Sequence, residues 1–305
     1  MENFEFYSPT YFVFGKGTEN ETGKFVKKYG GHKVLIHYGG GSGLLDRVKA
    51  SLDAEGIQHV ELGGVKASPH SDLVYQGIQL ARKEGVDFVL PIGGGSVMDS
   101  AKGIALGAVY DGDFWDFYCG KAGPVTKALP VGCVVTIAAS GSEGSTDSVV
   151  TLVTEDGKQY KRCADGDILR PLFAIMNPEL MMTLPPYQTA SGIADIMAHC
   201  MERYFSHTKE NELTDRLLEA VMLTMIKEGK RVMTAPSNYD ARANIMWAGM
   251  LCHQGLAGVG RHEDWATHGL EHELSALNPA ITHGAGLAVM FPAWMEYVHA
   301  ENPAR

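Results

Sequence analysis

Twice within its first hundred residues the chain runs from a short apolar stretch into three glycines and a serine, and both times a helix-forming segment follows. The first copy is VLIH (34–37), leading to Tyr38, Gly39, Gly40, Gly41 and Ser42; the second is VDFVLPI (86–92), leading to Gly93, Gly94, Gly95 and Ser96. A continuous apolar run of this length, closed by glycine, reads as a strand buried on both faces. Between the copies lie LLDRVKASLDAEG, with helical spacing and a glycine cap at Gly56, the strand HVELGGV and the helix SDLVYQGIQLARKEG. Strand, helix, strand, helix in that order predicts parallel strands joined by right-handed crossovers. ALPVGCVVTI adds a further strand running into the turn AASGSEG, and residues 148–164 form a hairpin turning at Asp156-Gly157.

After FAIMNPELMMTLPP the pattern changes. Helices are expected at 187–205, 211–233, 239–254, 263–277 and 285–299, with no strand signal among them. The expected fold is an α/β nucleotide-binding domain with a parallel sheet over 1–180 and an all-α metal-binding domain over 181–305. Pro178, Pro185 and Pro186 suit the joining segment. The closing residues AENPAR leave the last helix without an evident partner, so a C-terminally truncated form is expected.

Composition narrows the partners. A net charge of -10 and the lack of a Lys/Arg block argue against nucleic acid and anionic membrane surfaces. The sequence opens without a basic segment followed by an apolar one, and its best apolar run, VGCVVTIAAS, is too short to cross a bilayer. Five cysteines, odd in number and without a CxxC pair, predict reduced thiols and a cytoplasmic location.

The second half holds the chemistry-bearing side chains. GIADIMAHCMERY spaces Asp195 and His199 four apart, on one helix face, among Ile193, Ile196, Met197 and Met201. A carboxylate and an imidazole facing a core need a partner, and a divalent cation is an effective one. DWATHGLEHELSAL carries His268 and His272 at the same spacing, and NPAITHGAG places His283 at a helix start. Any one of these histidines alone is an ordinary core or surface residue. Together they outline a metal site, although spacing does not say which of them coordinate. Imidazole and carboxylate ligands suit Fe(II), Zn(II), Co(II) or Ni(II) alike.

The glycine loops supply a second reactant. Gly93, Gly94, Gly95 and Ser96 follow a buried strand and open a helix, so their amides can approach a diphosphate. Tight strand–helix packing is the plainer explanation of the same glycines. At the end of the first strand, where a ribose is expected, no acidic residue precedes Asp46. The amides of Gly39, Gly40 and Gly41, with Ser42, can accept a 2′-phosphate there, which favours NADP(H) over NAD(H). Lys158 is a further phosphate candidate, although a hairpin lysine is usually just solvated.

On these motifs the chain resembles the iron-containing (group III) alcohol dehydrogenase family, most closely its butanol-dehydrogenase-like branch, over essentially its whole length. The resemblance implies a dehydroquinate-synthase-like architecture, and members of the family end with more helices than remain here. It implies that G-x-x-D-x-x-x-H supplies Asp195 and His199 as metal ligands, that H-G-x-x-H supplies His268, and that the later H-G pair supplies His283. His272 matches an extra histidine beside the metal, suited to relaying a proton. The GGGSxxD segment ending at Asp99 is implied to bind the cofactor diphosphate, with Thr136, Ser140 and Ser142 lining the cofactor. The expected activity is that of a metal-dependent, NADP(H)-linked alcohol dehydrogenase or aldehyde reductase acting on small primary alcohols and aldehydes such as butanol and butanal. Fe(II) is favoured, with Zn(II) as the alternative, in a homodimer. The rivals are a glycerol-dehydrogenase-like polyol oxidoreductase, a dehydroquinate-synthase-like metal lyase and an inactive nucleotide-binding regulator. The lyase would need several basic residues near the metal, where the sequence offers only Arg203 and Arg261.

Overall fold

The computed structural model describes residues 1–41 and 43–300; Ser42 and residues 301–305 of the AENPAR stretch lie outside them. The chain divides into two compact units. The first comprises Pro9–Thr136 and Ser142–Leu180. Its elements are β1 (Tyr11–Phe14), α1 (Thr22–Lys28), β2 (Lys33–Tyr38), α2 (Gly43–Ala54), β3 (Gln58–Leu62), α3 (Ser71–Glu84), β4 (Phe88–Gly93) and α4 (Gly95–Ala108). There follow α5 (Trp115–Tyr118), β5 (Gly132–Val135), β6 (Asp147–Val153), β7 (Gln159–Asp165) and β8 (Phe173–Met176).

Six strands form one sheet in the order β1-β8-β5-β4-β2-β3, and every neighbouring pair is parallel. Alternate residues face opposite sides. Val34, Ile36, Phe88 and Leu90 pack with Val26, Val48 and Leu52 of α1 and α2. Leu35 and Val89 pack with Val74 and Ile78 of α3 and Ile104 of α4. Because both faces are covered, the strands read as unbroken apolar runs instead of alternating ones. The hairpin β6–β7 is antiparallel with Val153 opposite Gln159, and Gly157 turns it with φ 81°.

The strands are shorter than their apolar runs: β3 stops at Leu62 and β5 covers only Gly132–Val135. Two strands, β1 and β8, have no counterpart in the sequence reading, which assigns FAIM to no element. The structure seats β8 inside the sheet between β1 and β5, with all four residues buried. At four residues each, neither strand is long enough to display a period.

The second unit comprises Met1–Ser8, Ile137–Gly141 and the chain from Met181 on. It is built from α6 (Pro186–Tyr204), α7 (Glu212–Thr234), α8 (Tyr239–His253), α9 (Ala266–Leu277) and α10 (His283–Val298). Pro186 starts α6, where its missing N–H costs nothing. Asn238 caps α8, its Oδ1 accepting the Ala241 N–H at 2.9 Å. A single cut at residue 180 does not describe this unit, because two stretches from the first half pack with the helices. Glu2 N donates to Gly260 O at 2.9 Å and Ser8 Oγ to Gln254 Oε1 at 3.0 Å. Gly192 of α6 lies so close to Ala138 that a Cβ there would stand 2.3 Å from its carbonyl oxygen. Among the described residues no helix is long and apolar enough to cross a membrane.

Candidate metal centre and cofactor loops

Helix α6 packs against α10, and α10 against α9. This brings Asp195 and His199 from one helix together with His268 of α9 and His283, the first residue of α10. Asp195 Oδ1 stands 3.6 Å from His199 Nδ1, 4.0 Å from His268 Nε2 and 3.8 Å from His283 Nε2. These separations are too long for hydrogen bonds. They are close to the ~3.4 Å between donors that each sit ~2.1 Å from a four-coordinate ion.

The side chains fit a cation on chemical grounds too. Asp195, His199 and His268 are buried. His199 Nδ1 and His268 Nε2 make no hydrogen bond among the described residues, although both atoms are buried. A buried imidazole nitrogen without a partner is costly unless something else accepts its lone pair. Burial pushes both imidazoles well below their ordinary pKa, with neighbouring positive groups adding to it. Both are therefore in the neutral form that coordinates metals.

Two carboxylates that the sequence reading overlooks hold His268 and His283. Glu202 Oε1 accepts the Nδ1–H of His268 at 2.8 Å and its backbone N–H at 2.9 Å. Glu271 pairs with His283 Nδ1 in the same manner. Each leaves Nε2 as the nitrogen free to coordinate, the usual orientation device of histidine metal sites. Burial raises the Glu202 pKa to about 8, against the lowering effect of the His268 amide bond. Spacing could have exposed both: Glu202 is three residues after His199, and Glu271 three after His268. His272 is partly buried, its ring 5.3 Å from that of His283. Glu271, His272 and His283 also have clustered donor atoms, but Glu271 is engaged with His283.

Of the three motif glycines two have steric reasons, whereas a Cβ on Gly269 would meet nothing within 4 Å among the described residues. Gly192 admits Ala138 O, and Gly284 lies so close to α6 that a Cβ would stand 2.0 Å from Ser191 O. Both let backbones approach near the ligands.

In the α/β unit, β4 ends at Gly93, Gly94 precedes α4, and Gly95 and Ser96 form its first turn. Gly94, the N-cap, has no side chain to cap this helix, so its N-terminal amides can receive an anion. Three residues on, the Asp99 carboxylate accepts from Ser142 Oγ at 2.8 Å, and burial raises its pKa to about 6. Lys102 reaches the same turn, its Nζ donating to Ser142 O, Ser145 O and Asp147 O at 2.8–3.0 Å. Thr136 N donates to Gly93 O at 3.0 Å, joining the third turn to the 93–96 loop. Ser140 Oγ is buried and makes no hydrogen bond among the described residues. Gly39, Gly40 and Gly41 follow β2, and positions 40 and 41 have open space where a Cβ would stand. Lys158 sits on the hairpin tip, its ammonium 2.7 Å from Asp156 Oδ2, so a local carboxylate already engages it.

Two family profiles match: iron-containing alcohol dehydrogenase over residues 9–178, and the C-terminal part of the Fe-containing alcohol dehydrogenase family over 189–305. The chain is 43% identical to an NADH-dependent butanol dehydrogenase B of Clostridium acetobutylicum, over 98% of this chain and 76% of that protein. It is 37% identical to the NADPH-dependent aldehyde reductase YqhD of Escherichia coli, over 97% and 76%. A crystal structure of an NADH-dependent butanol dehydrogenase A from Thermotoga maritima superposes with a TM-score of 0.96 at 42% identity, covering 100% of this chain and 76% of that one. With these matches spanning the sheet unit and the helices that carry Asp195, His199, His268 and His283, the chain belongs to the iron-containing alcohol dehydrogenase family, on its butanol-dehydrogenase-like branch.

Proposed function

We propose that this oxidoreductase interconverts small primary alcohols and their aldehydes, of the butanol and butanal kind, using NADP(H) and a divalent metal, Fe(II) in the first place, held by Asp195, His199, His268 and His283. The convergence of three imidazole nitrogens on Asp195 Oδ1 carries the proposal. When bound, the metal supplies Lewis acidity and the dinucleotide supplies or accepts the hydride. The chain's own residues do the rest. Three imidazoles and one carboxylate offset only part of a divalent charge. Glu202 and Glu271 keep the Nδ1 protons of His268 and His283 in place, so neither ring can turn its lone pair away. His272, partly exposed on α9, passes the proton between the reacting oxygen and solvent. The start of α4, with Gly93, Gly94, Gly95 and Ser96, receives the diphosphate, with Asp99, Thr136 and Ser142 of the same unit lining the cofactor; Ser140 is a further cofactor candidate.

NADP(H) is favoured because Gly39, Gly40 and Gly41 put no carboxylate at the end of β2. NAD(H) is the second reading, since relatives at 41–43% identity are named as NADH-dependent. A homodimer in the cytoplasm completes the proposal, and five free thiols, with Cys119 and Cys163 exposed, suit a reducing compartment.

Protein purified without oxygen and loaded with Fe(II) or Zn(II) should oxidise the reduced cofactor when butanal is added, faster with NADPH than with NADH. Full metal content without turnover on any aldehyde would sink the proposal; a preference for NADH would sink only the cofactor choice.

A further inference from the structure

A buried cation lies beside the ligands without belonging to them. Arg203, one turn beyond His199 on α6, is 3% exposed. Its Nη1 donates to His199 O at 3.0 Å, its Nε to Glu263 Oε1 at 2.9 Å, and its Nη2 meets His253 Nδ1 at 3.0 Å. Its guanidinium carbon lies 4.7 Å from the centre of the Trp265 ring. One side chain thus ties the carbonyl of a ligand to the end of α8 and to the segment that enters α9.

The contact with His253 has a single chemical solution. Every guanidinium nitrogen is a donor and none accepts, so His253 Nδ1 must offer its lone pair and the ring proton must sit on Nε2. Held this way, the His253 ring lies 4.4 Å from that of His199, 31° from parallel. Trp265, under the same guanidinium, stands edge-on to His268 at 5.0 Å and to His199 at 5.8 Å. The rings of two ligands are therefore walled by two aromatic groups that both rest on Arg203. An imidazole ring turns broadly about its last side-chain torsion unless neighbours stop it; His199 Nδ1 makes no hydrogen bond among the described residues, so the rings of His253 and Trp265, together with that of His268 stacked at 4.7 Å, hold its plane.

We propose that Arg203 is a positioning residue of the metal centre: through His253 and Trp265 it sets the ring planes in which His199 and His268 meet a divalent ion. Neither Arg203 nor His253 belongs to the ligand motifs. The inference rests on the ligand set proposed above.

Titration of the metal-free protein with Co(II), whose visible bands report ligand geometry apart from any turnover, tests it. Arg203→Met keeps bulk over Trp265 and removes all three hydrogen bonds. Co(II) should then bind roughly tenfold or more weakly, as when groups that orient ligands are lost, and the bands should shift. Arg203→Lys keeps the charge without the fork and should follow Arg203→Met; a wild-type spectrum there would mean that charge alone matters, and would overturn the positioning role. So would wild-type affinity and bands in folded Arg203→Met. Should Arg203→Met not fold, His253→Phe at the partly exposed end of α8 decides by the same measurement, because it keeps a ring against His199 and removes the acceptor. A wild-type protein that takes up no Co(II) overturns the ligand set along with the inference, whereas unaltered Co(II) binding in every variant overturns the inference alone.

Discussion

Glu202 receives both the ring Nδ1–H and the backbone N–H of His268 on a single carboxylate oxygen, at 2.8 and 2.9 Å. The two bonds fix the tautomer and the direction of the ring together, so the lone pair of His268 lies on Nε2, 4.0 Å from Asp195 Oδ1. Under the proposed ligand set, coordination strength at His268 would depend on a residue that does not touch the ion.

Replacing that residue should show the dependence. Glu202→Ala strands two buried donors and frees the ring, and metal affinity should fall by about 10- to 100-fold. Competition against a chromophoric chelator measures it. Unchanged affinity would mean that packing alone orients His268.

Removal of a proposed ligand should spare the cofactor loops. His268→Ala should lose the metal on dialysis while NADPH binding, read from the cofactor's fluorescence, stays within a few-fold, because the glycine loops belong to the other unit. Metal content equal to wild type would show that His268 is not a ligand.

A third variant tests packing. A Cβ on Gly284 would stand 2.0 Å from Ser191 O and 3.2 Å from Asp195 Cβ. Backbone cannot yield as a flexible side chain does, so Gly284→Ala must push α10 off α6 and draw His283 from Asp195. A stability loss of roughly 1–3 kcal/mol is expected, together with weaker metal retention. Thermal melts with and without metal check both, and a melt identical to wild type would contradict the close approach.

The sheet unit carries a pH signature of its own. His37 on β2 is fully buried between Leu62 O and Ser100 Oγ, both at 2.8 Å, and burial lowers its pKa to about 4 from an ordinary 6.5. The unfolded chain therefore binds this proton more readily between pH 6.5 and 4. Stability from His37 is whole above the unfolded value and is lost as pH falls through that window, by on the order of 3 kcal/mol in total. Asp99, raised to about 6, works in the opposite direction over part of the same range. The informative quantity is thus the difference between wild type and His37→Gln in denaturant midpoints at pH 7 and pH 5. A slope shared by both proteins would remove His37 from the account.

Much of this was legible before folding, and the boundary between legible and hidden is physical. Strand runs such as VLIH and VDFVLPI announced β2 and β4 because burial on two faces demands unbroken apolar residues. The five long helices showed in their own period. FAIM did not announce β8, since four buried residues look the same in a strand, a turn of helix or a linker, and only pairing with Tyr11–Phe14 and Gly132–Val134 made them sheet. The glycines at 192 and 284 were visible as motif letters, yet the need for them appeared only with Ala138 O and Ser191 O against them.

The four side chains divide along the same line. That Asp195 and His199 share a face follows from the sequence alone, because a helix repeats its geometry every few residues whatever lies around it. That His268 and His283 complete the set was implied by family resemblance, and their meeting with Asp195 is the work of α9 and α10 against α6. Which carboxylate holds which imidazole, and that Arg203 clamps His253 from fifty residues away, only the tertiary structure decided. Local spacing fixes which way a side chain leaves its own helix; the packing of one helix on another decides what it meets there.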